Sequence, residues 1–127
     1  MQTQPKLKII YCLRRLPHLT EADFSGHWRE VHAPLVEQCK SVLRIVRYVQ
    51  SHTDHGIFGD RLRTFRGSPE PYDGVAEIWY ESREALETLG RDPAARAASR
   101  ELLDDERRFV DFARSPIFLV EEHTVIA

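Results

Sequence analysis

Hydrophobic positions change their spacing several times along this chain, and each change marks an element. Leu7-Lys8-Ile9-Ile10-Tyr11-Cys12-Leu13 is a short apolar run of strand formers, and Arg14-Arg15-Leu16-Pro17 closes it with a Pro-containing loop. Thr20-Glu21-Ala22-Asp23 has the layout of a capping box, which predicts a helix start. In that helix Phe24, Trp28, Val31 and Leu35 recur at i, i+4, i+7 and i+11. At about 100° per residue they fall within about 60° of one another, a core-facing stripe that Cys39 extends.

From Val42 to Thr53 the spacing drops to two. Leu43, Ile45, Arg47 and Val49 alternate with Val46, Tyr48, Gln50 and His52, a strand with one conventional and one mixed face. Asp54 to Pro71 carries Gly56, Gly59, Gly67, Pro69 and Pro71 and reads as a long loop, a type often used as a lid or binding loop. Asp73 to Tyr80 is a third strand. Ser82 caps a short helix through Leu89, and Asp92-Pro93 starts a longer one to about Ala113. Ser115-Pro116 breaks it, and Ile117 to Ile126 is the last strand.

This order predicts an α+β fold of the ferredoxin-like β-α-β-β-α-β type, in which helices cover one sheet face. The other face, expected to carry Tyr48, Val75 and Trp79, would leave an apolar patch that soluble monomers avoid. Pairing two such faces about a two-fold axis covers it, so a homodimer, a dimeric α+β barrel, is expected.

At 127 residues the chain suits a single domain spanning 1–127, because two pieces would be too small to hold cores. A net charge of −2 lacks the positive field that nucleic-acid binding uses, and Arg61, Arg63 and Arg66 read as a solvated loop. The apolar runs are too short to span a membrane, and Met1 to Lys6 has no apolar signal region, so a cytoplasmic location is expected. Cys12 and Cys39 have the spacing of neither a zinc motif nor a disulfide framework and read as buried, reduced thiols. With no Gly-rich phosphate loop, Ser elbow or Rossmann fingerprint, no cofactor is expected.

Three segments in order carry a resemblance. Phe24-Ser25-Gly26-His27-Trp28-Arg29-Glu30-Val31-His32-Ala33-Pro34-Leu35-Val36 resembles the signature helix of EthD-domain proteins. Arg47-Tyr48-Val49-Gln50-Ser51-His52 is similar to that family's second strand, and Tyr72-Asp73-Gly74-Val75-Ala76-Glu77-Ile78-Trp79 to its third. Phe109 to His123 looks like its last helix and strand. His27 departs from the pattern, where an aromatic residue such as Tyr is usual. The resemblance implies a dimeric α+β barrel. Its members include cofactor-independent dehydratases and isomerases acting on small aromatic, polyketide or lactone intermediates.

The candidate chemistry rests on histidines, whose ordinary pKa of about 6.5 suits proton transfer. His52 alternates with Tyr48 and Gln50 toward one sheet face, with Asp73 expected to orient it, so His52, Tyr48 and Asp73 are candidate catalytic residues. The same residues also suit a wet, polar dimer interface. His27 and His32 complete the catalytic set, although on a regular helix they lie about 140° apart and cannot face one small site. Trp28, Gln50, Trp79, Tyr11 and His123 are candidate substrate contacts. Glu77 needs a partner, for which Arg47 is available, and His18 reads as a surface residue. His52 and His55 lack a third ligand, so no metal is expected. Three readings follow: a cofactor-independent lyase or isomerase using His acid–base catalysis; a non-catalytic small-ligand-binding or accessory protein of a catabolic or biosynthetic operon; and a cofactor-free or haem-dependent monooxygenase.

Overall fold

The computed structural model describes residues 7–127, so the expectation about Met1 to Lys6 falls outside it. Strands β1 (Leu7–Leu13), β2 (Ile45–His52), β3 (Gly74–Tyr80) and β4 (Ile117–Glu121) form one antiparallel sheet in the order β2-β3-β1-β4. One helical rod joins β1 to β2: α1 (Glu21–His27), a π-helical segment (Trp28–His32) and α2 (Ala33–Cys39). Helix α3 (Ile57–Arg66) lies between β2 and β3, and α4 (Arg83–Thr88) and α5 (Pro93–Glu106) follow β3. This is the expected ferredoxin-like α+β arrangement. Among the described residues no helix is long and apolar enough to cross a membrane.

The helix starts are where the capping residues put them. Thr20 Oγ1 accepts from the Asp23 amide while the Asp23 carboxylate accepts from the Thr20 amide, and Ser82 and Asp92 cap α4 and α5. Three boundaries differ from the sequence expectation. The stretch from Asp54 to Pro71 contains α3, because Gly56 and Gly67 are its ends rather than breaks; Gly67 has φ 63°, the left-handed conformation of a helix C-terminus. Helix α5 stops at Glu106, where the chain turns so that Phe109 and Val110 enter the core and Val110 bridges to Arg15. Strand β4 ends at Glu121, leaving His123 exposed beyond it.

Strand β2 does not alternate throughout. Ile45 pairs with Tyr80 and Arg47 with Trp79, so Val46 is the extra residue of a β-bulge. Ile45 thereby turns inward with Leu43, and Val46 is exposed, the reverse of simple alternation. Beyond the bulge Tyr48, Gln50 and His52 stand opposite Ile78, Ala76 and Gly74, on the face that the helices cover. The expectation that Tyr48 shares the open face with Trp79 and Val75 is therefore corrected. On that open face Lys8 pairs with Glu77, in place of the Arg47 expected from the sequence. Lys8 and Arg47 lie over the Trp79 ring at 4.7 and 4.8 Å from its centre.

Two apolar clusters join sheet to helices, one around Leu13, Phe24, Trp28, Ala76, Phe109 and Val110, the other around Cys39, Leu43, Ala95 and Ala98. Trp28 lies so close to β3 that a Cβ on Gly74 would come within 2.8 Å of its Cη2 atom. Both cysteines are free thiols.

Candidate active site

The π-helical segment is the local feature that builds the site. Its hydrogen bonds reach five residues back, as from the Ala33 amide to the Trp28 carbonyl, so a turn there holds more residues than an α-turn. The buried stripe shifts accordingly. Phe24, Trp28, His32, Val36 and Cys39 are buried while Val31 is exposed, so the predicted Val31–Leu35 stripe is displaced by one position after Trp28.

The same shift brings His27 and His32, five residues apart, onto one side. His27 Nε2 lies 3.0 Å from Asp105 Oδ1, and His32 Nδ1 lies 2.8 Å from Asp105 Oδ2. The expectation that these histidines cannot serve one site holds for an α-helix and fails here. The ring of Phe109 packs between them, with centroids 4.8 Å from His27 and 5.2 Å from His32.

Asp105 is 4% exposed, so an ionised carboxylate there needs hydrogen-bond donors, and the two imidazoles supply them. With its Nδ1–H given to Asp105, a neutral His32 keeps a free electron pair on Nε2. That nitrogen faces the Glu106 carboxyl at 3.9 Å. Burial lowers the His32 pKa, partly opposed by the hydrogen bond and charge of Asp105. Burial, with a smaller contribution from the Asp105 charge, pushes Glu106 up to about 7. A base whose pKa is lowered thus faces an acid whose pKa is raised, so that near neutral pH one can accept a proton and the other still has one to give.

Both groups open onto a cavity of about 180 Å³ between the sheet and the helices. Tyr11, Tyr48 and Tyr80 line it from three strands. Burial raises all three phenols, Tyr80 to about 12, and the charge of Glu106, which lines the same cavity, adds to each shift. The phenols are therefore neutral and able to donate.

His52 stands beside this cavity rather than in its wall. Its ring packs tilted against Trp28 with centroids 4.4 Å apart, Nδ1 lies 2.6 Å from Ser25 Oγ, and Nε2 lies 2.9 Å from Gln50 Oε1. Gln50 Nε2 in turn reaches the Trp28 carbonyl at 2.9 Å and the Tyr48 hydroxyl at 3.0 Å. Asp73 does not orient His52, because its carboxylate takes the Arg15 side chain and the Arg15 amide. Trp79 is on the far side of the sheet, and its indole N–H donates to Glu122. Of the sequence candidates, then, His32, Tyr48, Tyr11 and Trp28 line the cavity, His27, Gln50 and His52 support it from outside, and Asp73, Trp79 and His123 lie elsewhere. His55 goes to Glu21 at 3.6 Å, away from His52. Among the described residues no group of three or more His, Cys, Asp or Glu side chains is placed to hold a metal ion.

Asp105, Glu106, Tyr80 and Ser25 are the site residues that sequence reasoning missed. One signal was present. Asp104, Asp105 and Glu106 crowd the last turn of α5, where the helix dipole favours cations; no basic residue lies within that turn, and Arg107 just past it reaches only Asp104, at 3.8 Å. Carboxylates placed against the dipole point to a use elsewhere in the fold. Nothing comparable marks Ser25.

Residues 16–113 match the family model described as the EthD domain. Among curated proteins, the dehydratase CTB10 of Cercospora beticola is 29% identical over 121 residues, covering 91% of this chain and 89% of that protein. Among solved structures, an EthD family protein from Bacillus halodurans superposes with a TM-score of 0.60 at 18% identity, covering 93% of this chain and 99% of that one. A dimeric protein of unknown function and ferredoxin-like fold from Bacteroides fragilis gives 0.56 at 9% identity, covering 95% and 100%. The two structural likenesses bear on the fold.

Proposed function

The chain belongs to the EthD-domain family, and from that premise we propose that it is a cofactor-independent lyase of the dehydratase type, with His32 and Glu106 as its acid–base pair. The observation that carries the reading is the pair itself: an imidazole Nε2 with a free electron pair and a carboxyl raised to about 7, 3.9 Å apart on one cavity.

The chemistry closes on itself. His32 Nε2 takes a proton from the carbon next to a carbonyl, and the C–H electron pair moves to form an enolate. As the enolate re-forms its carbonyl, a carbon–carbon double bond appears and the C–O bond of the neighbouring hydroxyl breaks. Glu106 gives its proton to the departing hydroxide, which leaves as water. The His32 imidazolium then returns its proton to the Glu106 carboxylate, and both groups are back in their starting forms. Asp105 holds the His32 tautomer and stabilises the imidazolium in passing, and His27 fixes the other Asp105 oxygen.

The dehydratase relative supports the reaction class, and the aromatic lining supports a small ring-bearing substrate. We further infer that the helix-free sheet face, with Trp79 and the half-exposed Phe118, pairs with a second copy. Two free thiols suit a reducing, cytoplasmic setting.

The test is conversion of β-hydroxypropiophenone, followed by nuclear magnetic resonance. The reading expects water loss to the enone with the wild-type protein and little with Glu106→Gln. A ligand that binds, stabilises the protein and comes back unchanged would leave the non-catalytic binding reading in its place.

A further inference from the structure

One hydrogen-bond chain next to the cavity has its polarity fixed by a single group. The Trp28 carbonyl can only accept, so the side-chain nitrogen of Gln50, 2.9 Å away, must face it. That orientation turns Gln50 Oε1 toward His52 Nε2, at 2.9 Å, and the nitrogen must then carry the ring proton. His52 is held neutral, since burial and the Arg29 charge lower its pKa. Its Nδ1 is therefore bare and accepts from the Ser25 hydroxyl at 2.6 Å. The second N–H of Gln50 donates to the Tyr48 oxygen at 3.0 Å. Every link runs in the same direction, from Ser25 through His52 and Gln50 to Tyr48.

The end of the chain decides its use. Because the Tyr48 oxygen already accepts from Gln50, its own proton cannot point back along the chain. Tyr48 lines the cavity that His32 and Glu106 share, and its phenol stays protonated because burial raises its pKa. We propose that Tyr48 is the carbonyl-binding donor of this site, that Ser25, His52 and Gln50 are positioning residues aiming its proton into the cavity, and that the ligand class is an uncharged ketone of one aromatic ring with a short side chain. The size follows from the volume of about 180 Å³, since an apolar cavity of roughly 150 Å³ takes up benzene. The absence of charge follows from the lining, which is mostly apolar and aromatic and holds no Lys or Arg to pair with an anionic ligand. A carbonyl oxygen that gains charge as an enolate forms would bind this fixed donor more tightly in the transition state than in the ground state.

The inference rests on the dehydratase reading for its catalytic meaning, but its test needs no turnover. Acetophenone carrying a ¹³C-labelled carbonyl is the probe, and its infrared carbonyl band in the bound state is the readout. In the wild-type protein the band is expected at lower frequency than in Tyr48→Phe, and affinity in that variant is expected to fall by about threefold to tenfold. Gln50→Leu and Ser25→Ala are expected to keep Tyr48 and the fold but to move or split the band. Nitrogen-15 resonance of His52 is expected to show the Nε2–H tautomer, which would distinguish the chain from mere packing. Identical carbonyl bands in wild type and Tyr48→Phe, the Nδ1–H tautomer on His52, or no acetophenone binding at millimolar concentration would each overturn the proposal. A shifted band in a protein without lyase activity would uphold Tyr48 as donor and count only against the dehydratase reading.

Discussion

Replacing Glu106 with glutamine removes a carboxyl group whose ionisation the folded state resists, and the cost of that ionisation can be worked from the site. Its pKa rises from 4.5 to about 7 on folding, mainly through burial. A carboxyl raised on folding adds stability that is complete below about pH 4.5 and lost as pH climbs through about 7. Each unit is worth about 1.4 kcal/mol, so the wild-type protein should lose roughly 2–3 kcal/mol between about pH 5 and about pH 8 through this one group. The side chain is only 19% exposed, so solvent does little to reduce the figure. Glutamine keeps the shape and has no such dependence. His32 contributes the opposite slope, because its folded pKa is lowered, but it is present in both proteins and cancels in the difference. Urea unfolding of both proteins at the two pH values measures it. Glu106→Gln should gain roughly 2–3 kcal/mol over wild type on going from about pH 5 to about pH 8. A difference that stays constant across this range would refute the claim that Glu106 is buried with a raised pKa.

Other expectations follow from the same geometry. The profile of kcat/KM against pH should be a narrow bell. Its acid limb, from His32 protonation, should lie below about 6.5 and its alkaline limb, from Glu106 ionisation, near 7; Glu106→Gln should remove the alkaline limb along with most of the activity. Asp105→Asn, which frees the His32 tautomer, should lower kcat by about a hundredfold or more in steady-state assays. Gly74→Ala should destabilise the fold by about 1–3 kcal/mol in urea titrations, because the added methyl group meets the Trp28 ring. Trp79→Glu places a charge on the helix-free face and should yield a monomer on sedimentation, with the cavity intact.

What could be read from the sequence was local and periodic. The Thr20–Asp23 box, the Ser82 and Asp92 caps and the alternation after Arg47 fix where elements start and which residues share a face, and each is seen in the fold. Two of the misreadings share a cause: an extra residue inserted into a regular element. The π-helical segment moved the buried stripe from Val31 to His32 and brought His27 and His32 together. The bulge at Val46 inverted the start of β2. Neither insertion leaves a mark in a pattern read at one fixed period, because it lies in backbone hydrogen bonding. The Asp105–His32 pair was out of reach for a different reason. It joins residues 73 positions apart, and the turn that delivers Asp105 depends on how α5 packs against the first helical rod. His52 illustrates the limit well. Its grouping with Tyr48 and Gln50 on one face is seen in the fold, yet that face is the helix-covered one, and its partner is Ser25 on α1 rather than Asp73.

The central claim is that His32 Nε2 removes a proton from a carbon beside a carbonyl in this cavity. Hydrogen–deuterium exchange at the methyl group of acetophenone in heavy water, followed by proton resonance, measures that step without requiring the dehydration to follow. The wild-type protein should catalyse the exchange, and His32→Gln should slow it by about a hundredfold or more while still binding the ketone. Equal exchange by wild type and His32→Gln, or none above solvent in either, would contradict the account.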